Sequence, residues 1–398
     1  MKKASSQFLP QSLRAMFTIL FVNIFLFSTS AQYKLRLVVQ KNTTLHSEED
    51  VYVAGNFNNW NPGDTAYKLQ NVSNVLLIDF KNLPAAQYEF KFTRGSWGNV
   101  ASSATGADLQ NNLLVLSSDS TIYYSIDGWK DDFALAEKKH TASPNVRLVD
   151  TAFYMPQLNR NRKVMIYLPE GYDKTSKRYP VMYMHDGQNL FDEFTAGFGE
   201  WGVDECLDSL IKKGKKPCIV VAIDNGPRRL NEYNPFYFAR FGEGEGDAYV
   251  NFLVATLKPF IDRKYRTMPN KENTTIAGSS MGGLISYYAL LKYPSVFGKA
   301  GVFSPAFWTA DSIFAMTDSV TSRFNGLSFF YMGGLEGETY LEDMLTVSEK
   351  LAAKSSVYVY TAVDPEGRHN EQAWRKWFAE FYQWITNDGY NYIIKTPD

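Results

Sequence analysis

Cysteine, histidine and excess charge are all scarce in this sequence. Its 398 residues include two cysteines and four histidines. Neither Cys206 nor Cys218 belongs to a pattern typical of a nucleophile or a metal cluster, so we expect no metal site. Two buried free thiols are the favoured interpretation and a disulfide is the alternative, because spacing in the sequence cannot establish the geometry that a disulfide needs.

The charges are nearly balanced. Lys and Arg total 41 and Asp and Glu total 42, for a formal net charge of -1. No basic tract is present, which argues against a nucleic-acid partner. The sequence also lacks internal repeats, low-complexity tracts and, beyond its first residues, any run apolar enough to cross a membrane.

The N-terminus has the pattern of an export signal. Lys2, Lys3 and Arg14 precede an apolar run over residues 16–27, and small residues follow it up to Ala31. The run is shorter than a comfortable membrane span. We therefore predict a signal peptide over residues 1–31, cleaved after Ala31, and a periplasmic or secreted protein.

The length favours two domains, and the local patterns differ along the chain. Short alternating runs separated by turn signals over residues 32–130 predict a small all-β, immunoglobulin-like sandwich. Residues 131–145 are polar, contain a proline and are interpreted as a linker. Residues 146–398 alternate between strands and helices, which predicts an α/β fold with a mostly parallel sheet covered by helices on both faces.

The α/β part contains seven strand candidates and several helices. The strands are predicted at 163–168, 180–184, 218–223, 274–277, 301–303, 327–332 and 357–361. The helices are predicted at 202–212, 283–291, 339–351 and 371–385.

One short stretch carries the strongest chemical signal. Gly278-Ser279-Ser280-Met281-Gly282 fits G-x-S-x-G and lies between a β-branched strand and a helix. This setting is typical of the nucleophile elbow of α/β-hydrolases, in which a strained turn presents the serine hydroxyl above the sheet. Ser280 is therefore the predicted nucleophile.

A serine hydroxyl needs a general base, and in this fold the base follows the nucleophile and the acid in the sequence. His369 is the only histidine after Ser280, and it lies in a loop after the last predicted strand. The acid should follow the strand at 327–332, which makes Glu336 the first choice. Glu338, which would instead stabilise the start of a helix, and Asp364, on the loop of His369, are the alternatives.

The oxyanion hole needs two N–H donors. One is expected from Met281, the residue after the nucleophile. The other is expected from the loop after an earlier strand, His185-Asp186-Gly187-Gln188, where the backbone N–H of Gln188 is our candidate. His185 precedes the serine, and we interpret it as a buried, hydrogen-bonded structural residue.

Four separated stretches resemble the esterase D-like family, which includes feruloyl, acetyl-xylan and enterochelin-type esterases and mycolyltransferases. They are residues 183–191, 278–283, 304–308 and 369–374, and the resemblance extends over roughly residues 146–390. It implies an α/β-hydrolase with no cofactor, with Ser280 as nucleophile, Glu336 as acid and His369 as base. It also implies Gln188 and Met281 at the oxyanion hole.

The N-terminal part resembles starch-binding modules of immunoglobulin-like fold, on the stretches 51–60 and 88–97. By that resemblance Trp60, Lys91 and Trp97 form a platform for a glycan ligand. Residues 98–106 depart from the starch-binding pattern. The alternative is that both indoles serve in a core or an interface.

Together these features predict an exported serine esterase that acts on an acylated carbohydrate or a related ester. Aromatic residues at 234–241, in a loop where a lid would lie, and Phe307 with Trp308 are candidates for the substrate pocket, although core packing would also explain them. Two alternatives remain open. One is a glycan-binding protein with an inactive hydrolase domain, and the other is an acyltransferase that uses the same triad.

Overall fold

A computed structural model describes residues 31–73, 75–133, 138–321, 325–354 and 357–386. The predicted signal peptide, apart from Ala31, and residues 134–137 of the predicted linker lie outside these ranges. The chain divides into two compact units, Met1–Ala134 and Leu135–Asp398. In the described ranges, no helix combines the length and the apolar character that crossing a membrane would demand.

The N-terminal unit is built from β-strands. They are β1 (Gln32–Lys41), β2 (Tyr52–Gly55), β3 (Gln70–Val72), β4 (Val75–Pro84), β5 (Ala86–Thr93), β6 (Ala101–Ser102), β7 (Asn112–Leu116), β8 (Ser120–Ile126) and β9 (Gly128–Trp129). One sheet has the order β3-β4-β1-β8, another has the order β2-β5-β7, and β6 pairs with β9.

The two larger sheets of this unit share one hydrophobic core. Leu35, Leu37 and Val39 of β1 are buried against Phe90 and Phe92 of β5, while the residues between them face outward. This is the alternation expected of strands that bury one face. The prediction of a β-rich N-terminal module is therefore confirmed.

The C-terminal unit is organised around an eight-stranded sheet. Its strands are β10 (Val146–Met155), β11 (Arg160–Tyr167), β12 (Val181–His185), β13 (Ile219–Ile223), β14 (Thr274–Ser279), β15 (Lys299–Phe303), β16 (Gly326–Gly333) and β17 (Val357–Asp364), in the order β10-β11-β13-β12-β14-β15-β16-β17. The six strands from β13 to β17 along this order run parallel to one another. Strand β11 pairs antiparallel with β13, and β10 pairs antiparallel with β11. The predicted α/β-hydrolase fold is confirmed.

Helices cover both faces of this sheet. They are α1 (Val203–Lys212), α2 (Arg229–Glu232), α3 (Gly246–Phe252), α4 (Lys258–Lys264), α5 (Met281–Lys292), α6 (Ser312–Asp318), α7 (Glu338–Ala352) and α8 (Glu371–Thr386), and a π-helical turn at Leu253–Leu257 joins α3 to α4. Short 3₁₀ turns lie at Thr65–Tyr67, Trp97–Asn99, Lys130–Asp132, Tyr172–Lys174, Gly187–Asn189, Lys271–Asn273, Phe307–Thr309 and Gly334–Glu336.

Successive residues of the central strands enter different cores. Tyr183 of β12 belongs to the core that contains buried residues of α5 and α7, whereas Met182 and Met184 belong to the core that contains buried residues of α1 and α8. Strands buried on both faces have continuous apolar sequences rather than alternating ones, which explains why β12 and β13 were predicted from short apolar runs.

Two features differ from the sequence-based expectations. Strand β10 was not predicted, because it is an edge strand with mostly exposed residues and no regular alternation. Residues 138–145, within the predicted linker, are held to the C-terminal unit: the Ser143 N–H donates to Asp204 at 2.7 Å, and the Asn145 amide donates to Asp208 at 2.9 Å. Cys206 and Cys218 are free thiols, as favoured from sequence, but only Cys218 is buried, whereas Cys206 is half-buried.

Candidate active site

Ser280 lies at a strained turn between β14 and α5. Its φ of 57° and ψ of -122° place a non-glycine residue in a sparsely populated region of backbone conformation. The Ser280 N–H donates to the Phe303 carbonyl at 2.9 Å, and its carbonyl accepts from the Ala306 N–H at 3.1 Å. These two bonds, to the last residue of β15 and to the segment after it, hold the turn in its strained form.

The first glycine of the motif, Gly278, is required by close contact of the backbone with itself. A Cβ added at Gly278 would lie 2.9 Å from the carbonyl carbon of Gly282. No side chain fits there without moving the turn that presents Ser280.

Glu336 and His369 are hydrogen-bonded. Oε2 of Glu336 lies 2.7 Å from Nδ1 of His369. The Glu336 side chain is buried, whereas the His369 side chain is 46% exposed. A carboxylate at Nδ1 fixes the ring orientation and favours the tautomer that carries its proton on Nδ1.

The second oxygen of Glu336 is held by two donors. Oε1 accepts from the hydroxyl of Ser304 at 2.7 Å and from the N–H of Gly333 at 2.8 Å. The indole N–H of Trp374 donates to the same Ser304 hydroxyl at 2.9 Å. Sequence analysis assigned no role to Ser304 or Trp374, although both lie in the stretches that carry the family resemblance.

The alternative acids have other partners. Asp364 accepts from the Lys376 ammonium at 2.6 Å and from the Trp377 indole at 3.0 Å. These hydrogen bonds lower the pKa of Asp364. Glu338 is exposed in the first turn of α7, where a negative charge favours the helix. The contact with the His369 ring nitrogen is made by Glu336.

The loops that carry the acid and the histidine touch through glycine. A Cβ added at Gly333 would lie 2.3 Å from the carbonyl carbon of Gly367, and the Leu335 N–H donates to the Gly367 carbonyl at 3.1 Å. The distance between Glu336 and His369 is therefore fixed partly by backbone contact.

The two predicted oxyanion donors lie at the starts of helical turns. Met281 begins α5, and Gln188 lies in the turn Gly187–Asn189. The Thr195 hydroxyl donates to the Gln188 carbonyl at 2.8 Å, and the Gln188 side-chain Oε1 accepts from the Asn225 N–H at 3.1 Å. Gln188 is thus held by both its backbone and its side chain.

A partly buried ion pair lies beside this turn. Arg229 donates Nε to Oδ1 of Asp186 at 2.7 Å and one terminal nitrogen to Oδ2 at 2.8 Å. Burial raises the pKa of Asp186, but the charge and hydrogen bonds of Arg229, with a further bond from Asn225, outweigh burial and lower it. Asp186 itself has φ of 56°, so the pair stabilises a strained residue within the predicted oxyanion loop.

His185 and Glu371 are buried titratable groups near the same loops. Burial lowers the pKa of His185 to about 4, and its Nδ1 lies 3.0 Å from the Tyr249 hydroxyl. Burial raises the pKa of Glu371 to about 7, although its own backbone hydrogen bond and the charge of His369 oppose this. The Asn189 amide donates to Glu371 at 3.1 Å, which links the start of α8 to the turn that carries Gln188.

Aromatic side chains from three segments form a cluster. Trp308, which follows β15, contacts Phe238 at 5.7 Å, Phe241 at 6.5 Å and Tyr340 at 6.0 Å between ring centroids. The segment after β15 also carries Ala306, whose N–H binds Ser280. Phe307, by contrast, is fully buried in the core.

In the N-terminal unit, the structure brings Trp60 and Trp97 together. Their ring centroids are 6.2 Å apart, with 42° between the planes, and Trp97 is 38% exposed. Lys91 is half-buried on β5, and burial lowers its pKa, with Asp108 and Lys130 as charged neighbours. Within the described ranges, no hydrogen bond or cation–π contact joins Lys91 to either indole.

Comparison with known protein families identifies one for the C-terminal part of the chain. The family described as Putative esterase matches residues 155–385, more than half of the chain. The Bacillus subtilis (strain 168) protein YbbA, described as uncharacterized, is 26% identical over 243 residues, which are 56% of this chain and 92% of that protein. The endo-1,4-beta-xylanase/feruloyl esterase of Xylanibacter ruminicola is 30% identical over 189 residues, which are 46% of this chain and 25% of that protein.

A solved structure has the same fold. The BES protein from Bacillus cereus superposes with a TM-score of 0.52 at 19% identity, over 64% of this chain and 100% of that chain.

Proposed function

This chain belongs to the Putative esterase family and is a carboxylic-ester hydrolase, and we propose that it acts as a serine esterase with Ser280 as nucleophile, His369 as general base and Glu336 as the orienting acid. The contact that carries the proposal joins Oε2 of Glu336 to Nδ1 of His369 at 2.7 Å. It supports the assignment because a proton fixed on Nδ1 makes Nε2 the nitrogen that accepts the serine proton.

The first half of the reaction forms an acyl-enzyme. The Ser280 oxygen attacks the ester carbonyl carbon while its proton passes to Nε2 of His369. Buried Glu336 stabilises the resulting imidazolium through Nδ1. The tetrahedral intermediate collapses, the ester C–O bond breaks, and the alcohol leaves with the proton from Nε2.

The second half repeats these steps with water. His369 takes a proton from water as it attacks the acyl carbon, and the acid product leaves Ser280, which regains the proton from Nε2. In both halves the backbone N–H groups of Met281 and Gln188 donate to the carbonyl oxygen as it becomes negatively charged. Donors of this kind, held in place before the reaction, stabilise the transition state because they need no reorganisation.

The enzyme is exported in this proposal. Its substrates are carbohydrates that are esterified with an aromatic acyl group. The cluster of Trp308, Phe238, Phe241 and Tyr340 offers flat apolar faces to such an acyl group. The relative from Xylanibacter ruminicola, which matches under half of this chain, is described as an endo-1,4-beta-xylanase/feruloyl esterase, in accord with this class.

The nucleophile is tested with two serine variants. Ser280→Ala should abolish hydrolysis of a short p-nitrophenyl ester and labelling by a fluorophosphonate, while Ser279→Ala, which removes a neighbouring hydroxyl from the same turn, should retain both. Full activity in Ser280→Ala would refute the assignment. A panel of feruloyl, acetyl and simple aryl esters then tests the acyl preference, and equal rates on acetyl and feruloyl esters would refute an aromatic pocket.

A second proposal concerns the N-terminal unit, in which the paired indoles of Trp60 and Trp97 form a sugar-stacking surface. Partial exposure of Trp97 beside Trp60 supports it. Affinity electrophoresis in starch or xylan gels should show retardation that Trp97→Ala removes and that Ser280→Ala leaves intact. Mobility unaffected by either polysaccharide would refute binding of these glycans.

A further inference from the structure

The segment between α2 and α3 is a compact loop whose two ends lie together. It comprises residues 233–245 and is called the 233–245 loop below. The Glu245 N–H donates to the Asn231 carbonyl at 2.8 Å, and the Gly246 N–H donates to the Asn234 carbonyl at 2.9 Å. Close ends of this kind characterise Ω-loops, which are packed by their own side chains and are frequently functional.

One arginine binds carboxylates at both ends of the 233–245 loop. Arg160 of β11 donates to Oε1 of Glu232, the last residue of α2, at 2.7 Å. It also donates to both oxygens of Glu245, at 2.7 Å each. The second contact is bidentate, which gives both strength and a defined geometry. These hydrogen bonds and the charge of Arg160 lower the pKa of Glu245 against the effect of burial.

The two ends of the loop are held unequally. Arg162, on the same face of β11, donates to both oxygens of Glu232, at 2.9 Å and 2.6 Å, so this buried carboxylate keeps a partner if Arg160 is lost. Glu245 would retain its contact with the exposed side chain of Arg228 at 3.4 Å, and an exposed pair contributes little. Among these side-chain contacts, the α3 end of the loop depends mainly on Arg160.

The other side of the 233–245 loop meets the proposed active site. The Asn234 amide donates to the Thr309 carbonyl at 2.9 Å, and the Thr309 hydroxyl donates to the sulfur of Met281 at 3.7 Å. Phe236 contacts Tyr288 of α5, with 5.9 Å between the ring centroids. The loop therefore contacts the turn after β15 and the helix α5, both of which adjoin the nucleophile turn.

We propose that Arg160 is a positioning residue that determines the acyl specificity of the proposed esterase. It holds the 233–245 loop in one conformation, so that Phe238 and Phe241 pack against Trp308 and form one wall of a subsite for an aromatic acyl group. A wall that is ordered before binding costs less conformational entropy than one that the substrate must order. The inference rests on the proposed function, and Arg160 acts through the loop rather than on the reacting atoms.

Steady-state kinetics of the full-length protein on methyl ferulate and p-nitrophenyl acetate test the proposal. Arg160→Met should raise KM for methyl ferulate by about 5- to 20-fold, because the loop must then be ordered on binding. Both constants for p-nitrophenyl acetate, whose acyl group is too small to use the wall, should change by less than about twofold. Arg160→Lys should have an intermediate effect, since a lysine cannot form the bidentate contact.

Two further variants make the test specific. Glu245→Gln removes the charge at the α3 end and should also raise KM for methyl ferulate selectively, and it keeps the test valid if Arg160→Met fails to fold. Arg147→Met breaks an exposed ion pair with Asp173 on the neighbouring strand β10, and it should leave both esters unaffected. An unchanged KM for methyl ferulate in Arg160→Met and Glu245→Gln, or equal changes for both esters, would overturn the proposal.

Hydrogen exchange tests the clamp independently of ester hydrolysis. Arg160→Met should increase amide exchange in the 233–245 loop and leave exchange in α5 as in the wild type. Unchanged exchange in the loop would overturn the proposal even if the kinetics changed. A wild-type protein that neither hydrolyses these esters nor is labelled by a fluorophosphonate would refute the proposed function, and the exchange result would still show separately whether Arg160 orders the loop.

Discussion

The Ser304 hydroxyl donates to Oε1 of Glu336 at 2.7 Å, while Oε2 of the same carboxylate lies 2.7 Å from His369. Ser304 is itself held by the indole N–H of Trp374 at 2.9 Å. A buried series of hydrogen bonds therefore connects α8, the segment after β15 and the loop after β16 to the imidazole. The orientation of the proposed base depends on residues that do not touch the substrate.

Ser304→Ala should lower kcat on a p-nitrophenyl ester by about 10- to 100-fold with little change in KM, since a hydrogen bond to a charged group contributes about 1.5–3 kcal/mol. Ser348→Ala, which removes a buried hydroxyl bonded within α7, is the matched control and should retain activity. The fraction of active enzyme is counted by fluorophosphonate labelling. If Tm and this fraction fall together while kcat per labelled molecule is unchanged, Ser304 stabilises the fold and does not position the base.

Glu336→Gln should reduce kcat by about 1,000- to 10,000-fold, because an amide no longer selects the required tautomer or stabilises the imidazolium. Glu338→Gln and Asp364→Asn should each retain activity within a few-fold, since Asp364 is bonded to Lys376 and Trp377 and Glu338 lies in the first turn of α7. The comparison is made with steady-state rates on one ester. A larger loss in Asp364→Asn than in Glu336→Gln would transfer the acid role to the loop of His369.

Glu371 should make the folded state less stable as pH rises. Its pKa is about 7 in the folded protein and about 4.3 when unfolded, so the unfolded state releases the proton first. The contribution to stability is complete below about pH 4.3, is lost between about pH 4.3 and 7, and amounts to about 3 kcal/mol or less. Glu371→Gln mimics the protonated form, so its stability relative to wild type should increase across this range.

Chemical denaturation of both proteins at about pH 5 and pH 8 measures this difference, and taking the difference cancels the other titrating groups. If the variant and the wild type differ in free energy of unfolding by the same amount at both pH values, Glu371 titrates normally.

Gly333→Ala should destabilise the fold by about 1–3 kcal/mol or more, because the added methyl group would meet the Gly367 backbone at 2.3 Å. Activity should fall as well, since the two loops position Glu336 and His369. Gly197→Ala is the control, because a Cβ there meets nothing within 4 Å. Denaturant midpoints and rates should be measured together, and a Gly333→Ala protein of wild-type stability would show that the loops separate freely.

The elements nearest the proposed chemistry were the most predictable from sequence. The Ser280 turn has a local signal, because glycines, a β-branched strand and an apolar helix lie within a few residues. His369 followed from the order of elements and from the scarcity of histidine. The central strands β12 and β13 stood out as apolar runs because both of their faces are buried.

Features that depend on contacts between distant segments could not be predicted. The hydrogen bonds from Ser304 to Glu336 and from Trp374 to Ser304 join residues that are 32 and 70 positions apart. The edge strand β10 is largely exposed, so it has little hydrophobic pattern.

The strand order has a consequence for how this protein can change. Ser280, Ser304, Glu336 and His369 follow four successive neighbours in the sheet, β14 to β17. The 234–241 segment, by contrast, follows β13, on the opposite side of β12. Insertions or deletions in that segment can therefore change the shape of the substrate pocket without shifting the four residues that follow β14 to β17. New substrate specificities can be engineered there while the proposed catalytic residues keep their positions.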